Sequence, residues 1–387
     1  MGYANQITRI LFFICCPVTI AQNLDWKAHD VGNIYDVVTN TWCQGDVAGG
    51  GSMGGLPSRT LIYPKGSESV YQSSVDASGI EPTIAARKYS LDGPISVTSS
   101  GPFSCNEVYP STAEWDTIWH VQRGEIVDIP YWPGYVGISD EDFVTRYSDY
   151  NIDLDDQREP LFLDVIETSH VWSMNGYNPW IIVQYYIIPT VFPIEDGYFG
   201  TYHLGCVGGT GGQIGADDLV SFDPEKYIAI HEDQPGNDDL TIEGFRFHTP
   251  TIRKIYPPTG YDPDELNWVF DNEQALLQDD VIMYDHVSRD FTAQPDVDPR
   301  GICSTWMGFG PINLDVGDTL HFMMAAIVGK NYEEAMVNLE NLDIFIQGGY
   351  QVPGPPPPPP LKTSVSNNTV TLNWYSESEE ENPENYY

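Results

Sequence analysis

Six consecutive prolines, Pro355 to Pro360, set the firmest limit on how this 387-residue chain folds. Each ring fixes φ and removes an N–H donor, so the tract enters neither a sheet nor a helix interior and forms an extended polyproline II rod of about 3.1 Å per residue. It is a spacer between folded units. Beyond it, Val365, Val370, Leu372 and Trp374 alternate around the polar Asn367-Asn368 pair, which predicts two short strands opening a β-sandwich. The 27 residues after the tract fall short of the roughly 100 that such a sandwich needs, so the expectation is a longer modular protein.

Residues 1–21 combine Arg9 with the apolar run from Ile10 to Ile20 and end on Ala21. The run is too short to span a bilayer and predicts a cleaved secretory signal. The expected location is extracellular or on the cell surface of a Gram-negative-type bacterium, with no membrane span. Formal charge supports part of this picture: 17 basic against 56 acidic residues give −39, and removing Arg9 with the signal gives 16 − 56 = −40. Such a field repels nucleic acid and anionic lipid and attracts cations.

Cys15 and Cys16 fall in the signal, leaving Cys43, Cys105, Cys206 and Cys303. Their wide spacing excludes zinc, iron–sulfur and c-type haem motifs, and an even number in an oxidising compartment predicts two disulfides. Cys43–Cys105 with Cys206–Cys303 is the favoured pairing, and Cys43–Cys206 the alternative.

Between signal and spacer the pattern is all-β: β-branched and aromatic runs are cut into short pieces by 35 Gly and 30 Pro. The expected architecture is one or two antiparallel β-sandwiches, with a β-rich region over 22–150, a sandwich over 151–350, a proline linker over 351–360 and a fibronectin III-like start over 361–387. A single large sandwich with long insertions is the other organisation. Residues 161–172 and 180–188 predict a long hairpin joined by a turn-rich loop. A single C-terminal helix over 331–347 follows from Asn331 as a cap, Glu333 and Glu334 in the first turn, and Ala335, Leu339 and Leu342 at helical spacing, with Gly348-Gly349 as its stop. That stripe implies packing against a sheet.

Asp149, Asn151, Asp153 and Asp155 place oxygens at alternate positions, the spacing of a calcium loop's first ligands, although Leu154 and Pro160 exclude an EF-hand. Asp233, Asn237 and Asp239, with Asp238, form a second calcium candidate. Trp132 and Trp180 sit in aromatic-rich loops that can offer flat rings to sugars. The chain lacks H-E-x-x-H and G-x-S-x-G, and its glycine-rich runs over 45–55 and 205–215 lack the ending of a P-loop. Glycoside hydrolysis needs only two carboxylates at the right separation, which composition permits without locating.

Tyr63-Pro64-Lys65-Gly66-Ser67, Tyr147 to Asn151, the strand pair around Trp172 and Tyr185, Gly310 to Leu320 and the closing helix together resemble large exported bacterial proteins. In these a β-rich N-terminal region precedes a proline linker, a fibronectin type III module and often a type IX sorting domain. The resemblance implies export and a modular surface protein, and it marks no active site. The expected function is a secreted structural or adhesion protein without catalytic activity, whose partners are surface or matrix proteins or glycans, or further copies of itself. The alternative is a carbohydrate-binding or glycoside-hydrolase protein.

Overall fold

A computed structural model describes residues 25–40, 61–63, 65, 81–99, 108–150, 160–205, 218–233, 240–242, 245–247, 250–271, 280–289, 303–352, 361–366 and 369–374. Signal, proline tract and both glycine-rich runs, apart from Gly205, lie outside them. Contacts divide the chain into two units, Met1–Asn338 and Leu339–Tyr387.

In the first unit the strand Leu163–Val171 shows how alternation builds the core. Leu163, Val165 and Val171 join the main apolar cluster, while Ile166, Thr168 and His170 turn to the other face. The same parity runs through Trp180–Pro189, where Ile181, Val183, Tyr185 and Ile187 point inward, and through Leu320–Val328, where Leu320, Phe322, Met324, Ala326 and Val328 do. These three strands lie in an eight-stranded antiparallel sheet. From edge to edge its order is Asp218–Asp223, Ile228–Asp233, Thr251–Tyr256, Leu320–Val328, Trp180–Pro189, Leu163–Val171, Glu141–Ser148 and Trp119–Val121.

A five-stranded sheet faces it: Asn267–Asp271, Cys303–Leu314, Ile194–Gly205, Glu81–Lys88 and Ile95–Ser99. Ile84, Ala86, Phe199, Phe270, Met307 and Phe309 supply its inner surface to the same cluster, so the fold is an antiparallel β-sandwich. Phe309 joins the layers, with Phe199 6.3 Å away in its own sheet and Phe322 meeting it edge-on at 5.4 Å from the facing one. Close approach of backbones fixes glycine at Gly200, opposite Gly308, because a Cβ there would stand 2.1 Å from the Met307 carbonyl oxygen.

Each outer face carries a partial cover. The hairpin Ile126–Ile129 and Trp132–Val136 lays Ile129 and Tyr135 on Val121, Val144 and Ile166 of the larger sheet. The helix Asp280–Val287 lays Met283, Tyr284 and Val287 on Ala85, Val97, Tyr198, Val269 and Trp306 of the smaller one. A three-stranded sheet, Trp26–His29, Tyr35–Thr39 and Leu61–Ile62, is held by buried His29, which contacts Glu141 Oε2 at 3.1 Å and Ser169 Oγ at 2.8 Å.

The structure corrects two expectations. The first is the boundary near residue 150: Glu141–Ser148 pairs with Leu163–Val171, and Glu81–Lys88 pairs with Ile194–Gly205, so strands from both sides share each sheet. The second is the single helix, because Asp280–Val287 is another; only Met283, Tyr284, His286 and Val287 of it are buried, a pattern too short to show a clear helical period.

The predicted C-terminal helix is present as Tyr332–Gln347. Asn331 Oδ1 accepts from the Glu334 amide at 2.9 Å as the cap, and Glu334 Oε2 accepts from the amide of the preceding Lys330 at 3.3 Å. In the second unit its last turns end at Gly349, whose φ of 69° lets Gly349 N–H reach the Ile346 carbonyl and Tyr350 N–H the Phe345 carbonyl. Leu339, Leu342 and Phe345 are buried. The two strands read after the spacer are Leu361–Ser366 and Thr369–Trp374, paired antiparallel.

Replacing Phe309 by Ala removes the ring that joins the sheets and is expected to cost about 3–5 kcal/mol of stability, read as a lower denaturation midpoint in urea. Phe309→Leu keeps most of the volume and is expected to cost less.

Candidate functional site

The central strands of the larger sheet look apolar in sequence, yet their outward positions carry polar groups that meet. Asp142, His170, Gln184 and His321 come from four adjacent strands, and register brings them together: Asp142 stands opposite His170, and Tyr186 opposite His321. His170 Nδ1 contacts Asp142 Oδ1 at 2.9 Å, and both side chains are buried. His170 Nε2 lies 2.8 Å from Thr168 Oγ1 and 3.1 Å from Gln184 Nε2. Gln184 Oε1 then meets His321 Nε2 at 3.0 Å, and His321 Nδ1 meets the hydroxyl of Thr259 at 2.8 Å.

The orientation of the Gln184 amide sets the roles of the two imidazoles. An amide NH₂ only donates, so His170 Nε2 accepts from Gln184 and its proton sits on Nδ1, toward the carboxylate. An amide oxygen only accepts, so His321 donates from Nε2 and accepts from Thr259 at Nδ1. Burial lowers the His321 pKa, which keeps this ring neutral. Burial by itself would raise the Asp142 pKa, but His170, Ser139 and the Ile138 amide outweigh it and hold the carboxyl below its ordinary range.

Asp142 is fully engaged. Oδ2 accepts from Tyr135 Oη and the Ile138 amide, each at 2.8 Å, and Oδ1 accepts from the Ser139 amide at 3.0 Å and from the Ser139 hydroxyl. Asp164, further along the same face, accepts from Arg146 and from Tyr150 Oη at 2.7 Å. The outer end of the chain of contacts is open. There Tyr186 stacks on His321 at 4.4 Å and 12°, and Trp132 meets Tyr186 edge-on at 5.0 Å. All three rings are half-buried, and Thr259 is exposed. Lys254, 4.9 Å from the centre of the Tyr256 ring, continues the face one strand beyond.

The sequence-predicted residues distribute unevenly. Trp132 joins this aromatic belt. Trp180, the other expected sugar platform, is 1% exposed and offers no ring face to solvent, a correction set by its burial at the start of its strand, where Tyr177 of the preceding loop meets it edge-on at 6.0 Å. Asp149 is buried, its two oxygens accepting from Thr98 Oγ1 and from the Leu161 and Leu163 amides, each at 2.7 Å. Asn151, Asp153, Asp155, Asn237 and Asp239 lie outside the described residues; Asp233 ends a strand, its side chain undescribed. No group of three or more metal-ligating side chains stands together among the described residues. Cys43, Cys105 and Cys206 also lie outside, and Cys303 is placed only as the first residue of a strand.

Sequence reasoning missed Asp142, His170, Gln184 and His321. The available signal was a polar residue at every second position of otherwise apolar strands: Thr168 and His170, Gln184 and Tyr186, and His321 beside Leu320 and Phe322.

No family model matches the chain, and no curated protein matches it. A solved structure titled "Putative aldose 1-epimerase", from Escherichia coli K12, matches with 9% identity and a TM-score of 0.31, over 79% of this chain and 99% of that one. The expected non-catalytic structural or adhesion role is corrected and not carried forward, and the carbohydrate alternative is taken up below on the geometry of the aromatic belt. At this TM-score the likeness assigns no role to any residue here.

Two measurements check the site. Gln184→Glu sets a carboxylate beside His321 Nε2–H and is expected to raise the His321 pKa by about one unit or more, read by NMR titration of the imidazole. Burial raises the Asp149 pKa to about 6 against its three hydrogen bonds. The folded chain therefore holds that proton more tightly than the unfolded one, a contribution present below about pH 4 and lost as pH rises through 6. It amounts to about 3 kcal/mol, so the difference in stability between wild type and Asp149→Asn is expected to change with pH over that window.

Proposed function

We propose that the chain is a carbohydrate-binding protein whose ligand docks on the outer face of the eight-stranded sheet. The observation that carries the proposal is the half-exposed stack of Tyr186 on His321, flanked by Trp132 and backed by the Gln184 amide. Ring faces suit the apolar faces of sugars, and the Thr259 hydroxyl beside them suits sugar hydroxyls. A nucleobase would also stack, but the charge of −39 opposes its phosphates. Binding is favoured over glycoside hydrolysis because Asp142 and Asp164 already hold their own donors, whereas hydrolysis requires a carboxyl pair free to attack or to shuttle a proton.

Export is part of the same reading. Arg9 and the apolar run after it support a secretory signal, and a secreted acidic protein meets glycans rather than nucleic acid.

A glycan array followed by calorimetry on the best ligand tests the proposal. Tyr186→Ala and Trp132→Ala are each expected to weaken binding about tenfold, equivalent to about 1.4 kcal/mol, with the fold intact by circular dichroism. Affinity unchanged in both variants would remove the belt as the binding site.

A further inference from the structure

The opposite side of the sandwich carries a cleft of about 400 Å³ between the helix Asp280–Val287 and the five-stranded sheet. Its walls include Arg87, Asp196, Tyr198, Val281, Tyr284 and Asp285. The volume suits one or two rings of a small ligand.

Asp196 is the built element. It sits at φ 52°, in the left-handed region that non-glycine residues seldom enter, where the strand Ile194–Gly205 slips register against both neighbours. Two side chains pin it there through three contacts: its amide donates to Asn313 Oδ1 at 2.8 Å, and Tyr284 Oη lies 2.9 Å from its carbonyl and 2.5 Å from Oδ2. Arg87 Nε stands 3.7 Å from the same carboxylate oxygen, and its guanidinium lies 5.1 Å from the centre of the Tyr284 ring. Tyr198 meets Tyr284 edge-on at 6.0 Å. Strain of this kind persists where surrounding structure over-determines it, as at ligand clamps.

The charges select the ligand. Arg87 is set against Asp196, and Asp285 against Arg289 at 3.5 Å, so each carboxylate faces a cation within a chain of net charge −39. A locally neutral site gives an ionic ligand no net attraction, whereas a carboxylate and a guanidinium side by side accept from and donate to hydroxyls. Beside them, Tyr198, Ile95 and Val281 offer apolar surface.

We propose that this cleft is a second saccharide site, on the face opposite the Tyr186–His321 belt, taking a neutral sugar unit whose hydroxyls bridge Asp196 and Arg87. The ligand class rests on the carbohydrate reading above, while the site stands on its own geometry.

Surface plasmon resonance of the full chain against neutral hexasaccharides of glucose, xylose and mannose, with oligogalacturonate as the anionic counterpart, tests it. Val281 is 58% exposed at the mouth, so Val281→Trp closes the cleft without entering the core. Binding of a neutral oligosaccharide is expected to fall about tenfold in Val281→Trp and in Asp196→Asn, to hold in Val281→Ala, and to persist in part in Trp132→Ala. Equal binding by wild type and Val281→Trp, a preference for oligogalacturonate, or no binding of any neutral probe by wild type overturns the proposal. Loss confined to Trp132→Ala removes this site and leaves the belt; loss confined to the cleft variants does the reverse.

Discussion

The strand Trp180–Pro189 is paired on both sides, with Leu163–Val171 and with Leu320–Val328, and almost everything else depends on that register. Its odd positions fill the interior with Ile181, Val183, Tyr185 and Ile187, and its even positions set Gln184 and Tyr186 outward. Side chains alternate with period two, so a slip of one residue would exchange the two sets. The same ladder therefore determines core and candidate site together. Facing apolar groups such as Phe309 and Phe322 make the slip costly, since it would bury an amide and a phenol in their place.

The fold was legible where local chemistry decides it. Asn331 and Gly349 bracket the C-terminal helix in the manner their chemistry predicts, and the long hairpin falls where the β-branched runs stand. What escaped reading is long-range. Asp142 and His321 are 179 positions apart, and nothing local tells that two strands between them bring their contacts into one chain. Trp132 and Trp180 look alike in sequence, each in an aromatic-rich loop, but one rests half-covered on a sheet and the other is sealed within it. Neighbours in space made that difference. The boundary near residue 150 misled for a related reason, since a polar break marks a surface loop as readily as a domain end.

Charge acts on two scales. Across the whole chain, the formal balance of −39 sets a negative field that attracts cations. Locally, each carboxylate in play is tied down: buried Asp142 by four donors and an imidazole, buried Asp149 by three donors, and partly exposed Asp196 by a phenol and a guanidinium. Burial of an acid is costly without such partners, and each one here organises the loop or strand end around it.

The contacts running from Thr259 to Asp142 share one further property. Thr259 donates to His321, His321 to Gln184 and Gln184 to His170, whose Nδ1 stands 2.9 Å from Asp142, so the donors along the row all point inward. The row is a polarised wire with its negative end buried. Hydrogen bonds in series strengthen one another, and the hydroxyl oxygen that feeds the series becomes the better acceptor. Thr259 thus faces solvent as an electron-rich oxygen that welcomes a donor and turns away an acceptor. Reversing that preference would require one amide flip and two imidazole tautomer changes at once, which makes the polarity of the face a property of the folded chain rather than of any ligand that meets it.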